Sequence, residues 1–491
     1  MTPEDFYREL TEQINRQIEP IYGFRVTLIS YDSQGDFYWF YENLDGIFNR
    51  GTFDYVSARV SPDDIHGIAQ VSPAGGFPNA YTQVVTAIYY LLGPDDEARL
   101  RKAVADASVQ ATIVIQTYQG IFGTITEEQM AAGQAALGPT AVSNKQDYVI
   151  GFAMGYLWSG RREQNQPALA YTEMEKATDL PRLLPRMPAQ GKPVLAAAQE
   201  YLRLLGPANA LEDQMFLGGW TIAQLRNNTA RPNAANGGMR TVDPNTGIIS
   251  EGDQVGYGIP VPIAAIQKDL NDPSRVVRAV VPVSWDPASG PAGGARLSIT
   301  SLLHLRLADG SGLDLLPLVA ESGETTITIE YPGFTMVPTG PKPWEEKENT
   351  GWFDGGPIAE ANRNSGKAVS GFHFTVPPAY NLGPLAAGGD FGLITHLLIS
   401  NPPIVTIPVP EGGFERFRRR LAPGASGRLG LFGPPPERPS PAPLYSISYS
   451  HPADGGIQLV LTPVQTSVPP LQQTAYVMGG AFDFPGAAGP V

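Results

Sequence analysis

The hydrophobic period changes halfway along this chain, and that change limits what the chain can fold into. Up to Arg226 the apolar residues recur mainly at steps of three and four, the spacing that places them on one face of a helix. The exception is a mixed stretch with the short strand-like runs FRVTLIS and DFYWFY. Beyond Gly247 they fall into short runs rich in β-branched residues, separated by Gly, Pro, Asn and Asp. Between the two lies NNTARPNAANGGMRTVDPNTG, which is turn chemistry without a periodic apolar face. A chain of 491 residues also exceeds what one ordinary core buries. The expectation is an α+β multidomain protein, with an N-terminal helical bundle followed by a C-terminal antiparallel, β-sandwich-like half. The expected boundaries are a mainly helical domain over 1–230, an Asn/Gly/Pro-rich connector over 231–256 and a β-rich domain over 257–432. A stiff connector, GPPPERPSPAP, then covers 433–443, and terminal strands over 444–491 pack on the β-rich domain.

Several helices are legible by their ends as well as their stripes. Phe6, Leu10, Ile14 and Ile18 make an amphipathic first helix. Pro78 opens a helix expected to run to Gly93. Pro94 with Asp95, Asp96 and Glu97 then starts the clearest helix, placing acids at the positive end of its dipole. Its expected stripe is Leu100, Val104, Ala107, Ala111, Val114, Tyr118 and Ile121. Thr126 and Gln129 form a capping box. Two more helices, Pro193–Leu205 and Ala208–Arg226, complete the expected bundle.

The segment YVIGFAMGYLWSGRR, Tyr148 to Arg162, raises a membrane question through its apolar run and its Gly151/Gly155 pair. From Tyr148 to Trp158 it covers only about 16 Å at 1.5 Å per residue, against about 30 Å of bilayer core. It is better explained as a helix packed closely on the Pro94–Gly123 helix.

In the second half, TTITIEY alternates cleanly, so one face should meet a core and the other water. VVRAVVPVSW, LITHLLIS, PIVTIPV, YSISYS and IQLVLTPV read as further strands of an antiparallel sandwich.

Charge and composition exclude several functions. A net charge of −14 gives nucleic acid no basic surface to bind. With no cysteine there are no disulfides, thiolate metal sites or thiol nucleophiles. MTPEDFYREL lacks the basic, apolar start of a cleavable signal, so the expected location is the cytoplasm, or outside by a route without one. Neither a P-loop nor G-x-G-x-x-G occurs, and no motif calls for a cofactor. There is no H-E-x-x-H or G-x-S-x-G. The five histidines, His66, His304, His373, His396 and His451, are expected as ordinary structural residues.

Three stretches remain as candidate sites. DGSGLD places Asp309, Ser311 and Asp314 around a glycine, a weak resemblance to a calcium loop that lacks the distal glutamate. The long polar connection Lys342–Lys367 carries Trp344, Trp352 and Phe353, rings suited to binding or to plugging the end of a core. Its Glu345, Glu346, Asp354 and Glu360 offer paired carboxylates of the glycosidase kind. FERFRRRL is a basic cluster of Arg416, Arg418, Arg419 and Arg420 around Phe414, Phe417 and Leu421, suited to an acidic protein partner or a second copy. These features favour a non-catalytic, self-assembling or protein-binding protein, with membrane contact only after a conformational change. The alternatives are a toxin-like membrane-active protein and a hydrolase with a scattered carboxylate or Ser/His site.

Overall fold

The computed structural model describes residues 2–29, 36–38, 47–63, 68–72, 76–140, 142–153, 189–285, 303–307, 310–319, 323–383, 389–420, 426–430, 444–451, 456–464 and 473–486. It is an α+β protein, with helices concentrated toward the N-terminus and an antiparallel, β-rich C-terminal part. Contacts divide it into two compact units that interleave along the chain. One gathers 1–89, 221–365 and 373–491, and the other gathers 90–220 and 366–372. Residues 1–89, which the linear boundaries grouped with the helices, therefore sit with the strands.

The reason lies in the first helix, Pro3–Tyr22. Thr2 caps it, its hydroxyl accepting from the Asp5 N–H at 3.2 Å, and Gly23 ends it with φ of 79°. Phe6, Leu10, Ile14 and Ile18 are all fully buried, as their spacing requires. What they meet is a sheet. They share one core with Val277, Ala279, Val281 and Val283 of strand Val276–Trp285 and with Leu459 and Leu461 of strand Ile457–Pro463.

Among the described residues that sheet has eight strands, all antiparallel, in the order Gly312–Asp314, His304–Leu307, Ser426–Gly430, Leu444–Ser450, Ile457–Pro463, Ile404–Val409, Gly323–Pro332 and Val276–Trp285. TTITIEY alternates as read: Ile327, Ile329 and Tyr331 are buried, while Thr326, Thr328 and Glu330 are half-buried. A second sheet runs Thr27–Leu28, Thr474–Asp483, Leu393–Ser400, Phe334–Pro338, with Asp36–Tyr38 also on Thr474–Asp483. Its Leu398, Met478 and Met336 enter the same core. Leu444–Ser450 and Ile457–Pro463 lie inside the large sheet, and Thr474–Asp483 inside the second.

Among the described residues strand Val276–Trp285 ends the large sheet, so half of its backbone groups have no strand partner there. Two glutamines of the first helix supply partners at Val280 and Arg278. Gln13 donates to the Val280 carbonyl at 2.8 Å and accepts from the Val280 N–H at 2.6 Å. Gln17 does the same for Arg278, at 2.9 and 3.1 Å. A side-chain amide carries one donor and one acceptor face, as a peptide does, so at these two residues the helix takes the place of a neighbouring strand.

In the helical unit, Pro94–Phe122 begins at its proline and acids as expected, and the Gly93 N–H donates to the Ser370 hydroxyl. Its buried face is Ala103, Ala107, Ala111, Val114 and Tyr118. The expected stripe is corrected at Val104 and Ile121, which are exposed, while Leu100 is half-buried. The small residues set the face because a neighbour comes close there. That neighbour is helix Lys145–Ala153, whose Tyr148, Val149, Ile150, Phe152 and Ala153 join Ala107, Ala111, Val114 and Tyr118 in one cluster. The Phe152 ring stands edge-on to Tyr118 at 5.1 Å. Gly151 is buried, whereas Gly155 and the rest of that segment to Arg162 lie outside the described residues.

Two helix extents are corrected. The helix at Pro78 is Gly76–Thr86, and strand Ile88–Leu91 takes over where Ile-Tyr-Tyr-Leu favours extended chain. The two helices expected after Pro193 are one, Lys192–Ala230, with Pro207 inside it. Proline removes a helical donor, here the one that would serve the carbonyl of Arg203, an exposed residue. Among the described residues no helix is long and apolar enough to cross a membrane.

Candidate interaction surfaces

The loop tryptophans fall on two sides of the expected choice between binding and plugging. Trp352 is 1% exposed, and its indole N–H donates to the Gly256 carbonyl at 2.6 Å. Rings of Tyr81, Tyr257, Phe353 and Phe77 surround it at centroid distances of 5.5, 5.6, 5.9 and 6.2 Å. It therefore offers no surface to a ligand. Phe353 and Trp344 are half-buried. Gly351, with φ of 80°, lets the chain beside Trp352 approach the Pro343 carbonyl so closely that a Cβ would stand 1.8 Å from its oxygen.

Tyr81 ties this cluster to the carboxylate stretch. Its hydroxyl donates to the Asp354 carbonyl at 2.9 Å and accepts from the Asp354 N–H at 3.0 Å. Burial pushes the phenol well above its ordinary range. The Asp354 carboxylate accepts from the Gly356 N–H at 2.8 Å, at the start of helix Gly356–Arg363. Glu345 and Glu346 are exposed and Glu360 half-buried.

In DGSGLD, Asp309 lies outside the described residues. The Ser311 carbonyl accepts from the Leu307 N–H at 2.9 Å, and Gly310 has φ of 82°, which makes this a hairpin turn. Asp314 lies 2.9 Å from Nδ1 of His304, its cross-strand neighbour. Among the described residues no three His, Asp or Glu side chains gather as metal ligands. His66 also lies outside the described residues.

The basic cluster forms helix Glu411–Arg420. It is anchored by Phe414, whose ring meets Tyr449 edge-on at 4.8 Å. Burial pushes the Tyr449 phenol up to about 12, with Arg418 pulling the other way. Arg418 and Arg419 are exposed, and Arg419 donates to the Glu415 carbonyl. The side chains of Arg416, Phe417 and Arg420, and all of Leu421, lie outside the described residues.

A fourth surface was not anticipated. Within helix Lys192–Ala230, every residue from Glu212 to Leu217 is exposed. At 3.6 residues per turn this run covers the helix all round. It includes Met215, Phe216 and Leu217, exposed by 41, 70 and 48%. The signal was available in EDQMFLGGW, because three consecutive large apolar residues cannot share one helix face. Among the described residues neither Glu212 nor Asp213 has an ion-pair partner. No known protein family, curated protein or solved structure matches the chain.

Proposed function

We propose that this chain is a non-catalytic protein that acts by self-assembly or protein binding. The observation carrying this reading is the helical turn Glu212–Leu217, every residue of which is exposed, with its three large apolar side chains. A helix that is apolar on more than one face is ordinarily covered, and contiguous exposed apolar residues mark contact sites. An aromatic side chain such as Phe216 buries about 150–250 Å² when covered, so an association removing it from water is favoured by several kcal/mol, at about 25 cal/mol per Å², before ordering costs.

The test is mass against concentration by light scattering for the wild type and Phe216→Ser. The reading expects concentration-dependent growth that the substitution weakens at least tenfold. A strictly monomeric wild type that also captures no protein partner overturns it. The membrane-active reading draws on the same turn and expects Phe216-dependent dye release from liposomes.

A further inference from the structure

We infer that the Glu212–Leu217 turn of one copy docks on the Arg418/Arg419 surface of another, joining copies head to tail. This rests on the self-assembly reading and specifies its geometry. The chain is acidic overall, with a net charge of −14, so two copies repel unless opposite local charges meet. Glu212 and Asp213 are exposed acids one turn before the exposed Met215, Phe216 and Leu217. Arg418 and Arg419 are exposed on a short helix that Phe414 pins to Tyr449. Among the described residues none of these four charged side chains has an ion-pair partner. One surface thus supplies two carboxylates beside an apolar knob, and the other supplies two guanidinium groups on a helix anchored by Phe414.

The two surfaces differ, so the contact is heterologous. A pair joined by one such contact keeps one free turn on one copy and one free arginine surface on the other, and with these ends apart growth continues into a ring or a filament. A self-complementary contact would stop at a dimer.

Two variants separate these outcomes. Phe216→Asp disables the turn and leaves the arginines. Arg418→Glu with Arg419→Glu disables the arginine surface and leaves the turn. All three positions are exposed, so both variants should melt at the wild-type temperature. Each alone is expected to stay monomeric, while their equimolar mixture forms a discrete dimer and the wild type grows beyond it. If the arginine variant assembles as the wild type does, the inference falls and self-assembly through Phe216 stands. Absence of a mixed dimer likewise overturns it. A wild type that is monomeric throughout overturns both. Phe216-dependent flotation of a monomeric chain with lipid vesicles would assign the turn to a membrane surface instead.

Discussion

Tyr81 shows how single side chains hold the aromatic centre of the β-rich unit. Its hydroxyl both donates to and accepts from the backbone of Asp354. Tyr81→Phe keeps the ring but strands a carbonyl and an N–H, each costing about 1–3 kcal/mol where water cannot replace the partner. A fall in the denaturant midpoint without loss of the fold is expected. His396 gives a pH signature. Half-buried beside the Phe24 ring at 4.9 Å, its imidazole is held below the ordinary histidine range by desolvation. The unfolded chain therefore binds the proton more readily, so stability is present above about pH 6.5 and is lost as pH falls toward the depressed folded value. His396→Gln should flatten that part of the stability–pH curve, measured by urea unfolding between about pH 7.5 and pH 5.

At the scale of elements, neighbouring glycines in helix Lys192–Ala230 should respond oppositely to alanine. A Cβ at Gly218 would stand 2.5 Å from the Tyr90 ring, whereas at Gly219 it would meet nothing within 4 Å. Gly219→Ala should stabilise by about 0.5–1 kcal/mol, the helix-propensity gain. Gly218→Ala should destabilise by about 1–3 kcal/mol through overpacking. Thermal melts of the two variants check both signs. The helices were the most legible elements, because Thr126 and the Pro94 acids mark starts that the backbone honours, while the Thr2 cap of the first helix was not read from its stripe. Where they end was less so. Thr86 passes to a strand because Ile88–Leu91 is extended, and nothing before Gly93 marks that stop locally. Gln13 and Gln17 read only as the polar side of an amphipathic helix. Their bonds to Val280 and Arg278 depend on residues more than two hundred and fifty positions away.

At the scale of the whole molecule, the change of period at Asn227–Gly247 correctly announced an α+β chain. It could not show that the first helix belongs with the strands, since a stripe such as Phe6–Leu10–Ile14–Ile18 states only that it is buried. The candidate sites were partly legible. Trp352 is core, because its N–H finds the Gly256 carbonyl and its ring finds four others, while Arg418 and Arg419 are surface as a basic run suggests. The exposed turn was overlooked because apolar runs in a helix are ordinarily read as core. The central claim is that this turn associates, and sedimentation velocity of the wild-type chain over a wide concentration range tests it most directly. Self-assembly predicts a weight-average mass that climbs with concentration past the 52.6 kDa of one chain and beyond a dimer. A single species of 52.6 kDa at every concentration would contradict it.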